Sequence, residues 1–398
     1  MGAMQPPDQQ TAKLGVSGRP LILIGASVRA ATQSAVRAGF RVTAIDLFGD
    51  VDTRAVCHTY VALDKSAPLV VKNLSREDQA TRLMIVGGLD REAELVGELT
   101  ATCPYLGLNA DGLKRLRAAG FLGEIARRAG ILFPPGAPNG VKTASADRWL
   151  LKNPHSSGGL AVHWAPPSWR LDVAQDRSYL QAWVPGRPHG ATFVSNGSSC
   201  QLLGVCAGRF TRIGQTPFVY AGSLGPTIVT VQARSSISKL GQTIVDRTGI
   251  AGLFNADLMI KGDKIWLLEV NPRWSASCEL VERWLIDAGY LGPRESLLGM
   301  AYQALESGLE LFSGPDHAVP PRQYLKRIVF SRRDGVFDLH RIARASTRQV
   351  VYADLPRQGH LIRRDDPILT LIIRWPVGEA LPWQQTRRLI AEVQRAVV

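Results

Sequence analysis

Three oxygen-bearing side chains, Asp257, Glu269 and Asn271, fall within the stretch 252–273, which reads Gly-Leu-Phe-Asn-Ala-Asp-Leu-Met-Ile-Lys-Gly-Asp-Lys-Ile-Trp-Leu-Leu-Glu-Val-Asn-Pro-Arg. Brought to one face they could hold Mg²⁺ or Mn²⁺, hard cations that prefer oxygen ligands and leave positions for phosphate and water. Arg273, just past Pro272, carries a planar fork that can meet a phosphate or a carboxylate. A hairpin whose acidic residues simply face water is the plainer alternative, and spacing alone does not choose between the two.

Whether the three side chains meet depends on the elements beneath them. Apolar runs at 253–260 and 265–270 flank Lys261-Gly262-Asp263-Lys264, the pattern of a β-hairpin with glycine in its loop. Glu269 and Asn271 share a face because strand side chains alternate. A three-residue loop, Gly262-Asp263-Lys264, sets Asp257 opposite Glu269; a two-residue loop, Gly262-Asp263, turns it to the other face. The three-residue loop is expected.

Earlier in the chain, the strand-like run 149–154 carries Lys152 and leads into His155-Ser156-Ser157-Gly158-Gly159, a loop rich in accessible backbone N–H groups. A lysine beside such a loop can hold a triphosphate while the loop closes and excludes water. A surface lysine next to an ordinary turn has the same pattern. The connector 179–186 is apolar and aromatic with one glutamine, a wall on which a base can be read by stacking and main-chain hydrogen bonds. The glycine-punctuated segment 218–226 reads as a loop, with Tyr220 and Ser223 as candidates for a substrate mouth. Cys278 has no histidine near in sequence to activate it and reads as a small buried residue.

The order of these motifs, with Gly-x-x-x-x-Asp followed by a strand ending Glu-Val-Asn-Pro-Arg, resembles the ATP-grasp superfamily. That resemblance implies that Glu269 bridges metal ions on ATP phosphates, with Asp257 and Asn271 completing their shells. It implies that Lys152 and the loop Ser156, Ser157, Gly158 and Gly159 hold phosphate, that Gln181, Trp183 and Val184 contact adenine, and that Arg273 acts on the transferring phosphoryl group. Family members usually carry a lysine in the region that here reads Arg117-Ala118-Ala119-Gly120, so Arg117 either substitutes or the contact is absent. The family's N-terminal domain contributes to the acceptor pocket, which makes Ser27 and Arg29 substrate candidates; a tight turn and a surface arginine are the alternative.

The rest of the chain supplies the scaffold. A strand at 20–24, a turn at Gly25-Ala26-Ser27, a helix at 28–38 and a strand at 41–46 make one β-α-β unit, continued by a strand at 82–86, Gly87-Gly88 and a helix at 91–99. The turn is not G-x-G-x-x-G, so a dinucleotide site is weakly supported. Helical pattern fills 111–130, 233–248 and 278–288. Strands at 326–331, 349–353 and 368–374 and an amphipathic helix at 382–398 read as a C-terminal α+β domain, which resembles the terminal lobe of carboxylase-like ATP-grasp proteins around 354–360. The expected architecture is α/β and α+β: a leader at 1–18, a Rossmann-like domain at 19–110, an ATP-grasp domain at 111–315 and a C-terminal domain at 316–398.

The 398 residues, 45% hydrophobic and 20% charged, suit a globular protein of several domains. No apolar run is long enough to span a bilayer and no signal-peptide core is present, so a cytoplasmic protein is expected. Five scattered cysteines without C-x-x-C suggest neither disulfides nor zinc. The net charge of +13 comes from scattered arginines with no run interleaved by stacking aromatics, which disfavours nucleic acid and suits a basic surface that draws in ATP and an anionic substrate.

The function expected is an ATP-dependent carboxylate–amine ligase that passes through an acyl phosphate. Likeness of the Gly-Ala-Ser-Val-Arg-Ala-Ala turn and the 46–50 run to a branch that includes the tyramine–glutamate ligase of methanofuran biosynthesis implies one-carbon cofactor (methylofuran-type) chemistry with glutamate as carboxylate. The partners are then a small carboxylate and an amine, and a homodimer is an assembly this reading allows. A bicarbonate-using carboxylase-like enzyme and an ATP-binding scaffold without turnover are the alternatives.

Overall fold

The run Pro20-Leu-Ile-Leu-Ile24 is apolar at every position after its first, as a strand covered on both faces must be. It forms β1 (Pro20–Ile24), followed by α1 (Arg29–Arg37), β2 (Arg41–Asp46), α2 (Val51–Arg54), β3 (Thr59–Ala62), α3 (Ala67–Glu77), β4 (Arg82–Ile85) and α4 (Ala93–Thr100). The four strands form a parallel sheet in the order β3-β2-β1-β4. Alternation along β1 sends Ile22 and Ile24 into one core cluster and Leu21 and Leu23 into another. The computed structural model describes residues 18–89, 92–137, 148–153, 156, 158–166, 178–307, 322–342 and 349–398. The expected leader thus lies, apart from Gly18, outside the described residues.

Two helices follow, α5 (Ala110–Arg117) and α6 (Ala119–Ala129); Asn109 caps the first by accepting from Gly112 N–H. A small antiparallel sheet then forms from β5 (Gly136–Ala137), β6 (Trp149–Lys152), β7 (Val162–Trp164) and β8 (Tyr179–Ala182), in the order β5-β8-β6-β7. The body of the protein is β9 (Arg187–Asn196), β10 (Cys200–Ile213), β11 (Thr216–Gly225), α7 (Val231–Thr248), β12 (Ala251–Lys261), β13 (Lys264–Asn271), α8 (Cys278–Asp287) and α9 (Leu297–Ser307). It ends with β14 (Arg322–Phe330), β15 (Gly335–Val336), β16 (Val350–Ala353), β17 (Leu361–Ile362), β18 (Pro367–Pro376) and α10 (Trp383–Arg395).

Eight of these strands make one sheet, β13-β12-β9-β10-β11-β14-β18-β16, antiparallel throughout. The C-terminal strands therefore extend the central sheet through β11 and β14 instead of closing a sheet of their own. The segment 218–226, read from its glycines as a loop, is mostly strand. Gly222 explains the misreading: it has φ +132, and a Cβ there would meet Lys326 O at 1.9 Å, so glycine is what lets β14 lie against β11. At the other end, edge strand β13 is partly covered by the backbone at Leu132, which exchanges hydrogen bonds of 2.8 and 2.9 Å with Ile265 and Leu267. Phe193 and Phe254, stacked at 4.8 Å, pack β9 against β12 in the core below. Among the described residues no helix is long and apolar enough to cross a membrane.

Candidate nucleotide and metal site

The hairpin turns in two residues, not three. Lys261 pairs with Lys264 around Gly262-Asp263, and Gly262 takes φ +58 at the first turn position, as a two-residue hairpin loop with a leading glycine does. The pairing then runs Ile260 with Ile265, Met259 with Trp266 and Leu258 with Leu267, after which a β-bulge shifts the register and Asp257 faces Glu269. The expected opposition of the two carboxylates holds, but the bulge produces it and the loop does not.

Asn271 ties the pair together. Its Nδ2 donates to Asp257 Oδ2 at 3.1 Å and to Glu269 Oε1 at 3.2 Å, so one small group bridges both carboxylates. Asp257 is also fixed from behind, accepting at Oδ1 from Asn255 Nδ2 at 2.8 Å. Asn255 is turned that way because its Oδ1 takes hydroxyl hydrogens from Thr192 (3.2 Å) and Ser277 (3.0 Å). Among the described residues no group of three His, Cys, Asp or Glu side chains could hold a metal. The donor set is instead two carboxylates and a carboxamide, which fits Mg²⁺ that keeps water and phosphate oxygen as its other ligands.

A cavity of about 280 Å³ lies between the small sheet and the large one. Asp257, Glu269, Asn271 and Arg273 line one side; Lys152, Ser156, Gly158 and Gly159 line the other, with Tyr220 and Ser223 between them. Gly158 and Gly159 have φ +64 and +76, and the loop docks on β11: Tyr220 N–H donates to Gly158 O at 2.9 Å. A Cβ on Gly159 would meet Phe218 O at 1.9 Å. Ser157 lies outside the described residues. Arg273 donates from Nη2 to Asn271 Oδ1 at 3.3 Å, and its guanidinium passes 3.5 Å from where a Cβ on Gly87 would stand. The Gly87-Gly88 turn after β4 is thus the N-terminal domain's approach to the cavity, at the carboxyl ends of the parallel strands.

Other expected residues stand elsewhere. Gln181 is buried and reaches the cavity only through Lys152, whose Nζ donates to its Oε1 at 3.1 Å. Trp183 N–H, expected as an adenine contact, is spent on Arg148 O at 2.9 Å, while the ring packs beside Trp164; Trp183 and Val184 do not line the cavity. Arg117 lies outside the lining as well, with Nη1 donating to Val270 O at 3.4 Å on the strand that carries Glu269. Ser27 is half-buried and also away from it.

Arg29 corrects the expectation most clearly. It is 1% exposed, and its guanidinium meets Glu279 through Nη1 and, at 3.0 Å, Nη2, and Asp354 through Nε at 2.8 Å. Glu279 also accepts from Lys326 Nζ at 2.9 Å. Burial alone would raise the Glu279 carboxyl, but Arg29 and Lys326 outweigh it and hold it well below the usual range. Asp52 completes the knot by accepting the N–H groups of Asp354 and Leu355, both at 2.9 Å. A surface arginine in the sequence is thus the buried pin joining α1, α8, β14 and the segment after β16. Next to it Asp50, 7% exposed, is pushed up to about 8 by burial and by Asp354, Asp52 and Asp46.

His189 lines the cavity too, although an isolated histidine carries no signal in the sequence. Burial lowers its pKa, and Nδ1 lies 2.9 Å from Arg187 O, so the ring is neutral near pH 7 with the proton on Nδ1. Asn255 was legible in principle, two residues before Asp257 on one strand face; Ser277 and Thr192 were not, since only the fold brings them together. Burial drives the Tyr220 hydroxyl far above its ordinary range, and it pairs with Ser223 Oγ at 2.7 Å, so both act as neutral hydrogen-bonding groups. Cys278 is buried and burial raises its thiol, in keeping with a packing role.

Parts of the chain are similar to known proteins. Residues 125–277 match the model of the ATP-grasp domain. Formate-dependent phosphoribosylglycinamide formyltransferase of Methylococcus capsulatus is 37% identical over 54 residues, which is 14% of this chain and 14% of that protein. The same enzyme of Pyrococcus furiosus is 35% identical over 54 residues, 14% of this chain and 13% of its own length. The alignment thus spans a small part of these curated relatives. The biotin carboxylase domain of Hydrogenobacter thermophilus 2-oxoglutarate carboxylase, solved as a dimer with MgADP, ADP and bicarbonate, superposes with a TM-score of 0.69 at 12% identity, covering 90% of this chain and 86% of that one. An ADP complex of N5-carboxyaminoimidazole ribonucleotide synthetase gives 0.67 at 11% identity, covering 96% and 98%. The chain has the ATP-grasp fold.

Proposed function

We infer that this chain, an ATP-grasp protein by fold, is an ADP-forming ligase that activates a carboxylate as an acyl phosphate and joins it to an amine. The observation that carries this reading is the single cavity in which Asp257, Glu269 and Asn271 face Lys152 and the Gly158-Gly159 loop. Asp257, Glu269 and Asn271 would hold Mg²⁺, which supplies neutralisation of the β- and γ-phosphate charge. Lys152 binds phosphate, and the docked glycine loop excludes water from it. Arg273 orients the carboxylate or the transferring phosphoryl group.

A carboxylate oxygen attacks the γ-phosphorus, the bond to the bridging oxygen breaks, and ADP leaves. The amine nitrogen then attacks the acyl carbon, the C–O bond to phosphate breaks, and the amine proton passes to solvent. Positioning and charge carry the chemistry, so no nucleophilic side chain is needed. The basic chain suits an anionic donor, and glutamate in one-carbon cofactor synthesis is the donor we propose to test first.

The likeness to a bicarbonate-bound biotin carboxylase domain supports a second reading, in which bicarbonate is the carboxylate. One experiment separates them: Mg-ATP with a panel of amino acids, amines and bicarbonate, following ADP, with Glu269→Gln as control. ADP release that needs both a carboxylate and an amine supports the ligase, and release with bicarbonate supports the carboxylase. AMP release overturns both, and nucleotide binding without turnover on any pair favours a scaffold.

A further inference from the structure

A second cavity, of about 480 Å³, lies on the other face of the large sheet, between β10, β14 and the start of α10. Alternation along β10 sets it there: Gly208 and Phe210 line the nucleotide cavity, while Arg209 between them lines this one. The same holds on β14, where Lys326 joins the Glu279 knot and Arg327 turns away from it into the second cavity.

Arg209, Arg327 and the exposed Arg387 converge here without a carboxylate in the lining. Among the described residues none of the three guanidinium groups has an ion pair, in contrast to Arg29, which has three, and to Arg82 and Arg374. Burial lowers the pKa of the half-buried Arg327, and the nearby charge of Arg209 adds to it. Arg209 is steadied by the Trp383 ring, its guanidinium carbon 5.1 Å from the centroid. The cavity lies at the first turn of α10, the positive end of a helix of 13 residues.

We propose that Arg209, Arg327 and Arg387 form a binding site for a phosphate-bearing small molecule, separate from the nucleotide cavity and on the opposite face of its sheet. Planar guanidinium forks take phosphate oxygens two at a time, which accounts for arginine at all three positions. The site stands whether or not the ligase reading does, since none of its residues serves that reading.

The test is calorimetric titration of the full chain with pyrophosphate in EDTA, which removes the divalent metal the nucleotide cavity would use. One pyrophosphate per chain is expected, weakened about tenfold or more by Arg387→Glu and by Arg209→Gln, since each removes a charge-assisted contact. Lys152→Met should leave this binding unchanged. Arg387 is exposed, so its variant is expected to fold, and circular dichroism checks it. Binding that survives both arginine substitutions, binding lost in Lys152→Met instead, or no binding at millimolar pyrophosphate overturns the proposal.

Discussion

Asp257 and Glu269 stand opposite each other across the β12–β13 ladder, although a two-residue turn by itself would set Asp257 against Leu268. The register shift between Asp257 and Leu258 makes the difference, and Leu268 is the residue it leaves over. The facing of the two carboxylates therefore rests on a leucine as much as on the acids.

Removal of either acid should abolish metal-dependent turnover while sparing the fold. Glu269→Gln and Asp257→Asn are each expected to lower Mg-ATP turnover about a hundredfold or more, because several kcal/mol of phosphate charge stabilisation is lost. ADP release under saturating substrates measures this, and unchanged thermal unfolding shows that the loss is local.

Gly159→Ala should weaken nucleotide binding far more than it weakens the protein. Its Cβ has no room against Phe218 O and its φ is positive, so the loop must leave β11. A rise of about tenfold in KM for ATP is expected, from the cost of restoring the closed loop on binding. An unchanged KM would show that the loop does not close on the nucleotide.

Arg29→Met should be among the most destabilising single changes in the chain. It leaves the buried Glu279 with Lys326 but without the guanidinium that meets both its oxygens, and deprives the partly exposed Asp354 of its ion pair, at a cost of about 3 kcal/mol. Denaturant unfolding measures it. A substrate-contacting arginine would instead alter KM and leave unfolding unchanged.

Much of the fold was legible because periodicity reports burial directly: β1, β2, α7, α8 and α10 lie close to where their patterns put them. What failed to show was set by partners remote in sequence. Gly222 and Gly225 read as loop punctuation, since nothing local announces that β14 must pass within reach of Gly222. The turn length could not be read because a bulge can restore a register that a loop upsets. Lys152, Asp257, Glu269 and Asn271 were singled out by their local motif and line one cavity, whereas Arg29 has no local signature of its burial, its carboxylate partners Glu279 and Asp354 being supplied by other parts of the chain.

Asp50 makes stability depend on pH in an unusual direction. Its folded pKa of about 8 lies above the ordinary carboxyl value of 3.8, so between those values the folded state keeps a proton that the unfolded state has lost. Stability therefore falls as pH rises through that window, by about 1.4 kcal/mol per unit at most, and levels off above pH 8. Asp50→Asn should be more stable than the natural chain at pH 8, with the difference closing toward pH 4. Unfolding curves across that range test it, and parallel pH profiles for the two proteins would sink the assignment.

The Arg29 knot also sets an order on the making of the molecule. A ribosome adding residues in sequence completes α1 and the parallel sheet while Glu279 is still 250 residues away and Asp354 is 325 away. Until both emerge, the guanidinium must stay in water, so the N-terminal unit waits with one flank open and becomes whole only when the last third of the chain has been synthesised.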